Sequence, residues 1–265
     1  MSKLAFEVQG RGPGLMLVHG TGSTPAGTWG PCIAELAASH TVLAALPGSG
    51  DSALPDDAEL NIGEIASQMA DVAAEAGRDR FAIAGASLGG PIAVKVAAMF
   101  LERITHLVSV CGFARPRAGL RLRQEIYRDV LPPGAASVGR VLLLFGLTEE
   151  AAAQMPEEML QDMIGLVGSS PSPRTRQQIA LTLAIDVEAD LALVWAPSLI
   201  IAGVLDRTGP FNGLIRHAAT GPAEGGCHPI GVTGMGESSL FGRRLWFAPV
   251  LGTAPEGTRI PVMHL

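Results

Sequence analysis

One five-residue segment, residues 85–89, constrains the fold of this chain more than any other. It reads Gly-Ala-Ser-Leu-Gly, follows the short apolar run 81–84 and precedes the apolar-periodic stretch 91–101. The pattern predicts a buried strand, a sharp turn and a helix, in that order. Such a turn strains the backbone at Ser87 and pushes its hydroxyl out of the sheet, so the residues two positions away on either side must be small. Ser87 is therefore a candidate nucleophile.

Short continuous apolar runs elsewhere predict further strands that are buried on both faces. They cover residues 15–18, 41–45, 106–111 and 198–202, and an edge strand is expected at 4–8. Residues 62–76 have helical spacing. Because strands that alternate with helices need crossover connections, the predicted fold class is α/β, with a mostly parallel central sheet flanked by helices.

The stretch 113–190 breaks this alternation. Its helical patterns cover residues 120–131, 138–146, 149–167 and 174–184, with few strand-like runs. The stretch is too long for one crossover connection. We therefore predict a helical cap at 113–190, inserted over the carboxyl edge of the sheet of a core formed by residues 1–112 and 191–265.

The composition limits the partners. With 265 residues, 48% of them hydrophobic and 17% charged, the chain can bury the core of one capped α/β domain. A net charge of −6 without a basic patch argues against nucleic acid as a partner. We expect neither a cofactor nor a metal, a small apolar molecule as substrate, and a second copy of the chain as a candidate partner.

The cysteines and the first residues suggest a compartment. Cys32, Cys111 and Cys227 lie far apart without a CxxC spacing, which is typical of reduced thiols. No signal peptide precedes the first strand-like segment, and no apolar run reaches the length of a transmembrane helix. These features predict a cytoplasmic protein that does not enter a membrane.

Acyl-transfer chemistry needs a nucleophile, a base, a group that orients the base, and hydrogen-bond donors for the oxyanion. The glycine-bearing loop 19–22 leaves the first buried strand, so the backbone N–H of Thr21 is expected to face Ser87 beside the N–H of Leu88. His19 in the same loop is expected to tether it, with the role of base as the less favoured alternative.

Asp206 is the strongest candidate for the orienting acid. It follows the predicted strand 198–202, at the edge of the sheet where ligands bind. Its alternative role is to cap the next helix, although it lies four residues too early to be ideal. Asp51, Asp186 and Asp190 are weaker candidates, because they lie in loops with cap or turn spacing.

Four segments together resemble the α/β-hydrolase superfamily, in its small capped branch of esterases, enol-lactonases, haloperoxidase-like enzymes and carbon–carbon bond hydrolases. They are residues 19–22 followed by Trp29, 46–52, 85–90 and 196–206, in the order and spacing of that family. The resemblance implies that Ser87 is the nucleophile and Asp206 the triad acid. It also implies that the N–H groups of Thr21 and Leu88 are the oxyanion donors.

The triad histidine is missing from its usual place. The family usually ends its triad with Gly-His and, after four residues, Glu; here Gly231 and Glu237 fit, but Val232 stands at the histidine position. Valine cannot accept a proton, and without a base the serine hydroxyl stays protonated and is a poor nucleophile.

Three interpretations remain open. In the first, His228 acts as base from four residues upstream. In the second, the triad is incomplete and the site acts as a lyase, cyclase or isomerase through His19, Ser87 and the oxyanion donors. In the third, the protein only binds its ligand.

The predicted cap is apolar, which favours a small apolar ester, lactone or β-diketone as substrate. Met155, Met159 and Met163 follow each other at four-residue spacing. Such a row can form a pliable roof over a substrate. Contact with the core or between cap and sheet is the interpretation that we favour for it.

Overall fold

A mostly parallel sheet forms the centre of the protein. The computed structural model describes residues 3–37, 40–44, 46–131, 134–202 and 230–233. The strands are β1 (Phe6–Gln9), β2 (Gly14–Val18), β3 (His40–Ala44), β4 (Phe81–Ala86), β5 (Ile104–Val110), β6 (Ser198–Ala202) and β7 (Ile230–Thr233). They form one seven-stranded sheet in the order β1-β3-β2-β4-β5-β6-β7, in which β1 alone runs antiparallel to its neighbour. The predicted α/β fold class is confirmed.

Helices connect and cover these strands. They are α1 (Pro25–Leu36), α2 (Ile62–Glu75), α3 (Gly89–Met99), α4 (Ala118–Val130), α5 (Ala135–Gly146), α6 (Glu149–Ala153), α7 (Glu157–Ser169), α8 (Thr175–Ala184) and α9 (Glu188–Leu191). The helix expected at 149–167 is two helices, α6 and α7, separated at Pro156. Proline interrupts the helix because it has no backbone N–H to donate.

The central strands are buried on both faces, as their continuous apolar sequences predicted. In β2, Met16 and Val18 pack in the cluster that includes α2 and α3, whereas Leu15 and Leu17 pack in the cluster that includes Trp29 of α1. Successive side chains of a strand point to opposite faces, so one strand contributes to both clusters.

Between β5 and β6 the described residues form helices and no strand. Among these helices α5 packs on α7, and α4 packs on both α5 and α8. The division into a core of 1–112 and 191–265 and a cap of 113–190 stays a prediction. Within the described ranges, no helix combines the length and the apolar character needed to cross a membrane.

Candidate functional site

Ser87 occupies the sharp turn between β4 and α3. Its φ of 50° lies in the left-handed region, which is strained for any residue with a side chain and costs on the order of 1–3 kcal/mol. Two hydrogen bonds hold this turn: the N–H of Ser87 donates to the carbonyl of Val110 at 2.9 Å, and the N–H of Gly90 donates to the carbonyl of Ser87 at 2.9 Å. The serine residue is only partly buried.

The small residues on either side of the turn are required by close backbone contacts. A β-carbon at Gly85 would collide with the carbonyl of Gly89, and one at Gly89 would collide with the carbonyl of Val18 at the end of β2. The helix that follows Ser87 therefore begins directly against two neighbouring strands. This is the physical reason for the Gly-x-Ser-x-Gly spacing.

The loop 19–22 passes beside the serine. A β-carbon built on Gly20 would lie 3.3 Å from Cβ of Ser87 and 3.8 Å from its Oγ. The N–H of Thr21 in this loop has no hydrogen-bond acceptor among the described residues, and neither has the N–H of Leu88, the residue before α3. The structure thus brings Gly20, the residue before Thr21, against Ser87, and Leu88 follows Ser87 in the chain; the chemical roles of Ser87, Thr21 and Leu88 stay predictions.

His19 is a tether between two loops. Its ring is fully buried, Nδ1 lies 2.8 Å from the carbonyl oxygen of Gly20, and Nε2 accepts the N–H of Leu46 at 3.0 Å. Desolvation by burial lowers the pKa of His19 to about 4, against the opposing effect of the bond to Gly20. The ring is neutral at pH 7 and both nitrogens are engaged. It therefore has no lone pair available to take the proton of Ser87.

Helix α8 contributes polar side chains that sequence reasoning missed. Gln178 accepts the N–H of Gly22 at 2.8 Å, and it donates to the carbonyl of Pro47 at 3.0 Å and to Oγ of Ser49 at 2.8 Å. A signal was present in the sequence: Thr175, Gln178 and Thr182 repeat at helical spacing on the face that should be apolar. Polar residues at buried helical positions mark a hydrogen-bonded contact with another segment.

Asp206 and His228 lie outside the described residues. Of the weaker acid candidates, Asp190 pairs with Lys95 at 2.8 Å, and Asp186 accepts the N–H of Glu188 at 3.1 Å. Both carboxylates are thus engaged by neighbours.

Val232 lies in a described strand. The feeble strand pattern of the sequence near residues 227–230 falls mostly outside the described residues, and Ile230 is the first residue of β7 (Ile230–Thr233). One row of paired residues crosses the sheet through Ala86, Val110, Ile201 and Val232. Val232 is therefore a strand residue, level with the residue before Ser87. Normal strand spacing puts β7 about 14 Å from β4.

The row of three methionines does not lie on one helix. Met155 precedes α7, which contains Met159 and Met163. Met159 is 52% exposed, so the expected contact with the core is wrong for that residue. In the described part of the chain no group of three or more His, Cys, Asp or Glu residues could hold a metal ion.

Comparisons with known proteins agree with this geometry. Residues 15–248 match the model of the Alpha/beta hydrolase family. The chain is 28% identical to pyrrolizixenacetamide deacetylase of Xenorhabdus hominickii, over 79% of each protein. It is 34% identical to pimeloyl-(acyl-carrier protein) methyl ester esterase of Aeromonas hydrophila, over 78% of this chain and 82% of that protein.

Solved structures show the same fold. An esterase from Thermogutta terrifontis superposes with a TM-score of 0.71 at 23% identity, over 87% of this chain and 84% of that one. The enol-lactonase from Burkholderia xenovorans has a TM-score of 0.71 at 18% identity, over 87% of each chain. This chain belongs to the alpha/beta hydrolase family and is an enzyme of the hydrolase class.

Proposed function

We propose that this hydrolase cleaves a small apolar ester or lactone by acyl transfer to Ser87. The observation that carries the proposal is the left-handed, partly buried Ser87, which lies beside the loop 19–22 and immediately before α3. Further support comes from the relatives, because the names of the deacetylase and of the methyl ester esterase both describe hydrolysis at an acyl carbonyl.

The reaction would proceed in two steps. In the first, Oγ of Ser87 attacks the carbonyl carbon, a base takes the hydroxyl proton, and the leaving alcohol departs with that proton. In the second, water attacks the acyl-enzyme and releases the acid. The N–H groups of Thr21 and Leu88 would stabilise the oxyanion in both steps, and the positive end of the α3 dipole favours negative charge at the same place.

His228 is the proposed base and Asp206 its orienting acid. His19 is unsuited to this task because the backbone of Gly20 and of Leu46 already engages both of its ring nitrogens. A residue of another segment must therefore bring the imidazole to Ser87.

A second candidate function is favoured by the placement of β7. Its first residue, Ile230, is level with Ala84, three residues short of Ser87 along the sheet. Because β7 runs parallel to β6 and β4, its last residue, Thr233, lies nearest the sheet edge that carries Ser87, and its first residue does not. A site without a histidine base would serve as a lyase, cyclase or isomerase, or would only bind its ligand.

Hydrolysis of nitrophenyl esters with short acyl chains, and of small lactones, tests the proposal. We expect turnover by the wild type, loss of turnover in Ser87→Ala, and a fall by a factor on the order of 10⁴ or more in His228→Ala. Turnover that is unaffected by Ser87→Ala contradicts the role of Ser87. A wild-type protein without turnover, or a His228→Ala variant with unchanged turnover, favours a triad without a histidine base at residue 228.

A further inference from the structure

Helix α8 presents three polar side chains that are completely shielded from solvent. Thr175 and Gln178 are 0% exposed and Thr182 is 1% exposed. Their spacing puts them on one face of the helix, toward the loops that follow β2 and β3. Gln178 and Thr182 form hydrogen bonds to other groups, whereas the hydroxyl of Thr175 has no partner among the described residues. Buried polar groups that form such bonds fix the position of their partners.

Gln178 holds the loop 19–22 through its backbone. Its carboxamide oxygen accepts the N–H of Gly22 at 2.8 Å, while its nitrogen donates to the carbonyl of Pro47 and to the hydroxyl of Ser49. One side chain thus joins the loop beside Ser87 to the loop after β3. Both loops are more than a hundred residues away along the chain.

Thr182 contacts the loop 19–22 at Thr21, the residue before Gly22. Its hydroxyl donates to the carbonyl of Gln178 at 2.9 Å, and it lies 3.0 Å from the hydroxyl of Thr21. Because the proton of Thr182 is used within the helix, the hydroxyl of Thr21 donates to it. The side chain of Thr21 is thereby directed toward α8.

The surroundings of Gly22 leave no space for a side chain. Its φ is +70°, and a β-carbon there would collide with the hydroxyl of Tyr127 and lie 2.9 Å from the methyl group of Thr175. Only glycine fits this position. The loop therefore has little freedom to rotate about Gly22 once α8 and α4 are in place.

We infer that Gln178 is a positioning residue: its side chain binds the N–H of Gly22, next to Thr182 on the hydroxyl of Thr21, and so orients the N–H of Thr21 toward the oxyanion. Gln178 does not touch the reacting atoms. The inference rests on the proposed function, because an oxyanion forms only if Ser87 attacks a carbonyl. A residue of the helical region between β5 and β6 would then affect the rate of acyl transfer.

The test uses the full chain and the variant Gln178→Met, which keeps the length of the side chain and removes its hydrogen bonds. Gln177→Met is the matched control, because Gln177 lies on the same helix and its amide donates to the carbonyl of Asp56 on an exposed loop. A second pair, Thr182→Val and Thr182→Ser, removes and restores the hydroxyl.

Three experiments are made on each variant. They give the second-order rate of labelling by a phosphonofluoridate, kcat and KM for a nitrophenyl ester, and the hydrogen–deuterium exchange of the peptide that contains residues 20–22. Exchange reports the hold on the Gly22 amide without reference to activity. Thermal unfolding shows whether each variant is folded.

We expect Gln178→Met to lower kcat and the labelling rate at least about tenfold, as for a displaced oxyanion donor, with KM within about twofold. Exchange at residues 20–22 should rise, Gln177→Met should match the wild type, and Thr182→Ser should recover what Thr182→Val loses. A labelling rate of Gln178→Met within about twofold of the wild type overturns the inference.

If Gln178→Met does not fold, the Thr182 pair decides in the same way. If Thr182→Val and Thr182→Ser label at the same rate as the wild type, the inference is overturned. An unlabelled wild type would contradict the proposed function instead, and exchange would still show whether Gln178 holds the loop.

Discussion

Ser87 and Cys111 follow neighbouring strands and share an unusual backbone conformation, with φ of 50° and 48°. The N–H of each donates to the next strand of the sheet, that of Ser87 to Val110 and that of Cys111 to Ile201 at 2.7 Å. The two residues differ in the secondary structure that follows them. A helix begins two residues after Ser87, whereas the next helix after Cys111 begins at Ala118.

Because of this difference, the turn at Ser87 is a candidate active site, whereas the turn at Cys111 is only a strained turn. The start of α3 leaves the N–H of Leu88 without an acceptor in the described structure, directly after Ser87. Cys111 instead packs against the apolar cluster beside α1. A left-handed residue at the end of a strand becomes a candidate nucleophile when amide hydrogens for an oxyanion lie next to it.

Ser87→Ala should change activity more than any other substitution. It should lower ester turnover by about 10⁴- to 10⁶-fold, because the proposed nucleophile is removed while the fold is kept. The measurement is kcat/KM, with the thermal midpoint as a check on folding. Cys111→Ala is the matched control and should retain activity within about threefold; a loss of activity there comparable to that in Ser87→Ala would remove the distinction between the two turns.

Gly89→Ala should destabilise the fold by about 3 kcal/mol or more, since its β-carbon would meet the backbone of Val18 and His19, which cannot move aside. Urea unfolding measures this. Gly30→Ala in α1 is the control, because nothing lies within 4 Å of its β-carbon. That control should be stabilised by about 0.5–1 kcal/mol; equal unfolding midpoints for the two variants would show that the contact of α3 with β2 is loose.

His19 predicts a dependence of stability on pH. Its pKa is about 4 in the folded protein and near 6.5 in the unfolded chain, so the unfolded chain binds the proton first as pH falls. About 3 kcal/mol of stability is therefore present above pH 6.5 and is lost as the pH falls toward 4. The His19→Gln variant should not lose this stability as the pH falls. Urea unfolding of both proteins across that interval gives the difference, and parallel curves would contradict a buried neutral ring.

The smallest change in labelling is expected when a serine hydroxyl is placed at residue 111 instead of residue 87. Cys111→Ser in the Ser87→Ala background should remain unlabelled by a phosphonofluoridate, because no helix start follows residue 111. Intact-mass spectrometry measures this. Labelling at residue 111 would show that the backbone conformation alone is sufficient.

Sequence patterns were sufficient for the elements around Ser87. The strands β2, β4 and β6 are continuous apolar runs because helices cover both faces of the sheet. Burial on both faces can therefore be recognised from a short stretch of sequence. The turn at Ser87 was predictable for the same reason: Gly85, Ser87 and Gly89 are neighbours in sequence. The contact of Gly89 with Val18 depends on the placement of β2 beside β4, which the sequence motif alone does not predict.

The hydrogen bonds of Gln178 could not be predicted in that way. Gln178 is 156 residues from Gly22 and 131 residues from Pro47, so no local period relates them. The pairing of β7 with β6 could not be predicted from local sequence either, since Gly231 lowers the β-propensity of this short strand.

Peptide mass spectrometry of the phosphonofluoridate-treated full chain tests most directly whether Ser87 is the nucleophile. We expect one adduct, on the peptide that contains Ser87, with loss of fluoride from the probe and no adduct in Ser87→Ala. An adduct at another residue, or equal labelling of wild type and Ser87→Ala, would contradict it.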